Sequence, residues 1–218
     1  MKITTVILHY WPERVKNIKR IVDDLKGGSI KPKIIVFNNN PKVRIKGAIN
    51  SNFNYGGRAR YAVALLKPSD YYYFIDDDMT IRSKTLENFA NHAEKGCCFG
   101  YRGKILSKDN SYRSAKNIWA NTIDKPKEVD LLVGNGTIFT CKTALLKMFE
   151  AEKELGNLGR EEDLILSMIN KSKVIPAVED NKYITNLPDG GVGYYKAKNH
   201  WDLRERMVKL LKWNTIQT

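Results

Sequence analysis

The run Tyr71-Tyr72-Tyr73-Phe74-Ile75 leads directly into three aspartates, Asp76, Asp77 and Asp78. A short, continuous apolar stretch of this kind reads as a strand covered on both faces, as in the middle of a parallel sheet. Alternation along the strand puts most of the three tyrosines in the core, so they are not read as a base-stacking surface. The carboxylates that follow must meet solvent or a counter-charge, because an unpaired buried carboxylate is very unfavourable. In extended chain Asp76 and Asp78 share one side, with Asp77 turned away. Two carboxylates on one side suit a hard divalent ion, Mn2+ or Mg2+, that keeps positions open for diphosphate oxygens. The ordinary reading of an isolated DxD is an acidic turn before a helix. Its position after a buried strand is what favours a site here.

The flanking segments repeat strand and helix. Residues Lys2 to Leu8 read as a strand, Pro12 to Leu25 as a helix ended by Gly27-Gly28, and Lys33 to Phe37 as a second strand. Ala59 to Leu66 reads as a short helix, and Ser83 as the cap of a helix through about Glu94. Cys97 to Tyr101, Val129 to Val133, Thr137 to Thr140 and Val174 to Val178 read as strands. Thr143 to Glu154, Glu161 to Asn170 and Trp201 to about Trp213 read as helices. Residues 102–128 look like a long polar excursion, and Pro188 to Gly193 like a flexible loop. The order predicts an α/β fold with a mainly parallel central sheet and helices on both faces. Ligands of such sheets sit at the carboxyl ends of strands, which groups Asn38, Asn39 and Asp76 to Asp78 around one crevice.

A second acidic motif, Gly159-Arg160-Glu161-Glu162-Asp163, opens a helix. Acidic residues there ordinarily complement the helix dipole, and Glu161 is read in that way. Asp163, with Glu162 beside it, is the candidate base for an acceptor hydroxyl.

These features, in this order, resemble the GT-A-fold glycosyltransferases, especially the exostosin-like branch and the broad inverting bacterial type. They are similar also to compact glycosyltransferase domains of large algal DNA viruses. The resemblance runs over roughly residues 3–205. It is carried by the first strand, the second strand ending in Asn38-Asn39, the segment Asn54 to Arg60, the Phe74 to Met79 run, the strand Gly134 to Phe139, and Glu161 to Leu166. It implies one domain over residues 1–218, with a nucleotide-binding half to about residue 100 and an acceptor-binding half beyond. Thr5, His9, Tyr10, Asn38 and Asn39 would line the nucleoside pocket, and Arg60 would lie near the base or diphosphate. Asp76 would face the nucleoside, Asp78 would ligate Mn2+ (or Mg2+), and Asp77 holds a place of variable role. Asp163 would face the acceptor, and Arg204 would meet the diphosphate with a guanidinium that grips two oxygens. His200 is a further candidate metal ligand. Glu13 stands where some relatives carry a basic nucleotide contact. The implied donor is a UDP-sugar and the implied acceptor a glycan or glycoprotein.

Composition sets the competing readings. A net charge of +13 favours anionic partners. The basic residues are spread along the chain, and no basic and aromatic interleaving of the single-strand binders is present, so nucleic acid is not expected as a partner. The basic stretch Lys198 to Lys212 reads as a solvated helix face rather than a membrane surface. No stretch reaches the ~20 apolar residues of a membrane span. Cys97, Cys98 and Cys141 lack metal spacing and are expected to be reduced thiols, which with the absence of a leader pattern predicts a soluble, cytoplasmic protein. His92 is read as structural, and Trp119 as a sugar-stacking candidate. The runner-up enzymatic reading is DxDxT from Asp76 to Thr80, the nucleophile loop of haloacid-dehalogenase-type phosphatases, with Asp76 as nucleophile.

Overall fold

The computed structural model describes residues 1–133, 137–155, 161–178, 184–193 and 196–216, with side chains left aside at 154–155 and 213–216. The expectations placed on Gly134 to Gly136, on Gly159-Arg160 and on the side chain of Trp213 lie outside these residues.

The strands are β1 (Ile3–His9), β2 (Lys33–Asn38), β3 (Ile49–Asn50), β4 (Tyr71–Asp76), β5 (Met79–Ile81), β6 (Cys97–Gly100), β7 (Arg102–Ile105), β8 (Lys116–Trp119), β9 (Lys127–Val129), β10 (Leu131–Leu132), β11 (Ile138–Cys141), β12 (Lys171–Val174) and β13 (Ile184–Asn186). The helices are α1 (Asn17–Gly27), α2 (Ala59–Ala64), α3 (Thr85–Asn91), α4 (Lys142–Leu155), α5 (Glu162–Met168) and α6 (His200–Ile216).

Eight strands form one sheet in the order β3-β2-β1-β4-β11-β6-β12-β9. The pairs β3/β2, β2/β1, β1/β4 and β6/β12 are parallel, while β11 runs antiparallel to both β4 and β6. All seven residues of β1 are buried, which requires cover on both faces. Tyr71 to Ile75 are likewise buried, with the Tyr71 and Phe139 rings stacked across the β4/β11 pair at 5.0 Å. The register pairs Leu8 with Asp76 and His9 with Asn38, so the carboxyl ends of β1, β2 and β4 finish side by side.

Several segments differ from the sequence expectation. Residues 102–119 form an antiparallel hairpin, β7 with β8, rather than a plain excursion. Its pattern was hidden because Lys104 supplies a buried position: its ammonium donates to the Tyr112 carbonyl (3.1 Å) and lies over the Tyr112 ring. The strand expected at Val174 to Val178 ends at Val174, two residues before Pro176, and begins instead among polar residues at Lys171. The first helix starts at Asn17, after a separate 3-10 turn over Pro12–Arg14. Helix α3 is capped at Lys84 rather than Ser83. Strand β13, unforeseen, pairs with β5 and brings the chain beyond it to the acidic run.

Candidate active site

The ends of β1 and β4 open into a cleft of about 790 Å3. Tyr10, Arg60, Asp76, Asp77, Asp78, Glu162, Asp163, His200 and Arg204, all singled out from sequence, line it. Thr5, His9, Asn38 and Asn39 do not. They are fully buried, the Thr5 hydroxyl and His9 Nε2 without a hydrogen-bond partner. His9 Nδ1 and Asn38 Oδ1 lie 2.8 Å apart, and the Asn38 amide donates to the Val43 carbonyl and to Asn50. Asn39 donates to Asn54 and to the Gly56 carbonyl. These strand-end residues therefore shape residues 40–56, and only Tyr10 of the expected nucleoside set reaches the cleft. Trp119 also lies off the cleft, under the Arg102 guanidinium (4.1 Å).

The three aspartates are held in three ways. Strand β4 ends at Asp76, and Asp77-Asp78 form a tight turn into β5, so simple strand alternation does not set their directions. Asp76 accepts from Arg60 Nη1 (2.6 Å) and keeps 30 % of its side chain exposed. Asp77 is buried: its Oδ2 takes the amides of Tyr10 (2.8 Å) and Trp11 (3.3 Å), and its Oδ1 takes Arg14 Nη1 (2.9 Å). Both of its oxygens serve the chain itself, so Asp77 fixes the loop after β1 and the expectation that it binds cofactor gives way to that role. Asp78 Oδ2 also meets Arg14 Nη1 (2.9 Å), but Asp78 Oδ1 has no hydrogen-bond partner. Burial first, then the neighbouring Asp76, pushes the Asp78 carboxyl up to about 6, against the pull of Arg14.

Arg14 was not anticipated. It sits in the short turn after Pro12, which from sequence merges into the first helix. Besides the two aspartates it donates through Nε to the Asp189 carbonyl (3.0 Å) and through Nη2 to the Val192 carbonyl. Asn17 bridges the Asp77 carbonyl (2.9 Å) and the Pro188 carbonyl (2.8 Å), and the Leu187 amide donates to the Asp78 carbonyl (2.7 Å). Gly190, at φ +65°, packs so closely on Glu13 that a Cβ would lie 2.6 Å from the Glu13 Cβ. Pro188 to Gly193, expected as a flexible loop, is thus a docked wall of the cleft. Arg14→Lys is expected to loosen it, since an ammonium cannot reproduce the fork that serves two carboxylates and two carbonyls. The expected cost is about 1–2 kcal/mol, with Leu187 amide exchange faster by about tenfold in hydrogen-exchange mass spectrometry.

The opposite wall is α5. Arg204 of α6 is buried and donates to Glu161 Oε2 (2.7 Å) and to both oxygens of Asp163 (2.7 and 3.3 Å). Burial works against its charge, but Asp163, Tyr112 and Glu161 hold the guanidinium well above its ordinary range. The structure therefore gives Arg204 to Asp163, rather than leaving it open for a diphosphate. Glu161, read from sequence as a helix-dipole residue, is the second carboxylate in that grip. Glu162 turns towards Arg60 (3.9 Å), fills the space a Cβ at Gly57 would occupy, and leaves Oε2 unpartnered. Burial pushes the Glu162 carboxyl up to about 8, with Asp163 and Asp76 adding to the effect and Arg60 opposing it.

That raised value carries a sign for stability. The folded state holds a proton on Glu162 that the unfolded chain releases near 4.5, so this group weakens the fold as pH rises from about 4.5 to about 8. Glu162→Gln is expected to stabilise the metal-free protein at pH 9 by on the order of 3 kcal/mol and to change little at pH 5, read by thermal denaturation at both values.

Among the described residues the cleft lining holds seven carboxylates and four guanidiniums; with Glu162 protonated at neutral pH, that leaves an excess of two negative charges in a chain of net charge +13. A local field of that sign attracts a cation rather than a naked polyanion. Yet no three His, Cys, Asp or Glu side chains among the described residues are grouped closely enough to hold a metal ion. The trio Asp76, Asp78 and His200 lines one cleft without forming such a group; the His200 ring stands edge-on to Trp201 (5.2 Å). The donor set fits an ion held on one side by the acidic run, with its remaining positions filled by a ligand.

No protein-family model and no curated protein sequence matches the chain. Solved structures do. One is GalNAc-T7 in complex with UDP, GalNAc and Mn2+, at 11 % identity and a TM-score of 0.56, over 86 % of this chain and 44 % of that one. Another is the mannosyltransferase PcManGT from Pyrobaculum calidifontis with GDP-Man and Mn2+, at 12 % identity and a TM-score of 0.56, over all of this chain and 64 % of that one. The chain has a GT-A-like fold. It spans less than two thirds of each of these two chains. In this GT-A-like frame the cleft lies at the carboxyl ends of β1 and β4, where open α/β sheets place their ligands. None of the helices among the described residues is long and apolar enough to cross a membrane.

Proposed function

We propose that the protein is a metal-dependent glycosyltransferase that moves a sugar from a nucleoside diphosphate donor to a hydroxyl acceptor. The observation that carries this reading is Asp78, a carboxylate at the mouth of β4 with one oxygen unpartnered, in a cleft with excess negative charge. Asp78, with Asp76 beside it, would hold Mn2+ or Mg2+, which when bound neutralises charge on the departing diphosphate. His200 is left out of that set, because its ring is engaged with Trp201.

The chain's own residues have distinct tasks. Arg60 fixes Asp76 on the donor side, and Tyr10 borders the donor end of the cleft. Asp163 is the base that takes the proton of the acceptor hydroxyl; Arg204 fixes its direction by two hydrogen bonds. Glu162, pushed up to about 8, keeps its proton at neutral pH and is unsuited to that role. A base so placed favours inversion at the sugar carbon. The donor is a UDP-sugar in our reading, and the acceptor a glycan.

The phosphatase reading of Asp76 to Thr80 is disfavoured by Thr80. Its hydroxyl donates to Asp24 (2.9 Å) in α1 and does not face the cleft. The deciding assay incubates the protein with UDP- and GDP-sugars and Mn2+ and follows release of the nucleoside diphosphate. Metal-dependent release is expected. Phosphate release from simple esters, with trapping by beryllium fluoride, would establish the phosphatase instead.

A further inference from the structure

We infer that Trp201 is the platform on which the acceptor rests, and that the acceptor is accordingly a pyranoside presenting one apolar ring face. This deepens the glycosyl-transfer reading and rests on it.

Trp201 and Arg204 stand three apart on α6 and so share a helix face. Arg204 turns into the cleft wall and grips Asp163, while Trp201 lines the same cleft and stays 46 % exposed. The buried Tyr112 ring links the two: its centroid lies 6.0 Å from that of Trp201 and 5.0 Å from the Arg204 guanidinium carbon. The segment that carries Tyr112 is fixed to α6. Glu205 Oε2 accepts the amides of Tyr112 (2.8 Å) and Arg113 (3.1 Å) and the Ser111 hydroxyl (3.3 Å). Arg113 returns a hydrogen bond to Asp202. Residues 111–113 are therefore clamped against the first turns of α6, which holds the Tyr112 ring beside the indole.

A large apolar ring left open in a cleft lined by charged side chains is poorly used unless a ligand covers it. A pyranose matches that surface. One of its faces presents axial C–H groups, whose partial positive charge is drawn to the negative π face of an indole. Its hydroxyls stay at the ring edge, where carboxylates and amides meet them. The same helix face thus presents the ring and, through Arg204, fixes the base that would deprotonate one of its hydroxyls.

The test uses the full chain and methyl pyranosides of glucose, galactose, mannose and N-acetylglucosamine, with sorbitol as an acyclic control. Isothermal titration calorimetry reads binding, and release of the nucleoside diphosphate from UDP- and GDP-sugars with Mn2+ reads the donor site. We expect saturable binding of at least one pyranoside but not sorbitol, loss of at least tenfold in affinity in Trp201→Ala, retention within threefold in Trp201→Phe, and unchanged nucleoside diphosphate release without acceptor in both variants. Equal pyranoside binding by wild type and Trp201→Ala, or no pyranoside binding by wild type, with nucleoside diphosphate release intact, would overturn the platform alone. Absence of metal-dependent donor turnover in wild type would overturn the transferase reading, and the platform with it.

Discussion

Asp78→Ala is expected to lower metal-dependent release of nucleoside diphosphate by at least about a thousandfold, while the protein stays folded. The size follows from the role: the ion's work lies in stabilising charge that develops only as the sugar leaves, so its loss falls on the transition state. The fold should tolerate the change because Asp78 carries little of the local structure. One of its oxygens is unpartnered, and the Arg14 guanidinium it shares stays bound to Asp77 and to two carbonyls. Removing a carboxylate whose own ionisation is disfavoured by burial and by Asp76 relieves like-charge crowding. Circular dichroism and thermal denaturation, run beside the turnover assay, separate loss of activity from loss of fold. The same replacement at Asp77 makes the contrast: it frees two amides and a buried guanidinium, so its effect should be on stability.

Arg204→Ala is the second large effect, and here it falls on the fold. The buried guanidinium is the partner of Glu161 and of both Asp163 oxygens, with Tyr112 beneath it. Taking it away leaves two carboxylates facing each other in a poorly solvated wall. Breaking a buried pair from one side costs about 3–5 kcal/mol, which lowers the melting temperature by roughly 10 °C in a chain of this size. Arg204→Lys should recover part of the stability, since a charge returns, but not the two-oxygen grip on Asp163. Chemical denaturation of the three proteins checks the order, wild type above Arg204→Lys above Arg204→Ala. Equal midpoints would show that the carboxylates reach solvent or another cation.

The central sheet was legible because its parallel strands are continuous apolar runs. β1, β2 and β4 stand within one or two residues of where composition alone puts them. The acidic run and the α5 carboxylates were legible for a related reason: charge directly beside a buried segment is a local signal. What escaped depends on partners far away in sequence. Arg14 sits 63 residues before Asp77 and 175 before Asp189, and nothing near it marks a buried guanidinium. The β7–β8 hairpin escaped because its inward position is filled by Lys104, whose charge rests on Tyr112. The polar residues at the strand ends misled in the other direction. Thr5, His9, Asn38 and Asn39 look like ligands because polar groups at carboxyl ends of strands so often are. His9, Asn38 and Asn39 instead meet one another or hold residues 40–56.

On this reading Asp78 and its neighbours bind a nucleoside diphosphate sugar through a divalent ion. Isothermal titration calorimetry of UDP-sugars and GDP-sugars into the wild-type protein, with Mn2+ and with EDTA, tests it most directly. Saturable binding of at least one donor is expected, requiring Mn2+ and disappearing in Asp78→Ala. Donor binding of equal strength with EDTA, or unaltered in Asp78→Ala, would contradict it.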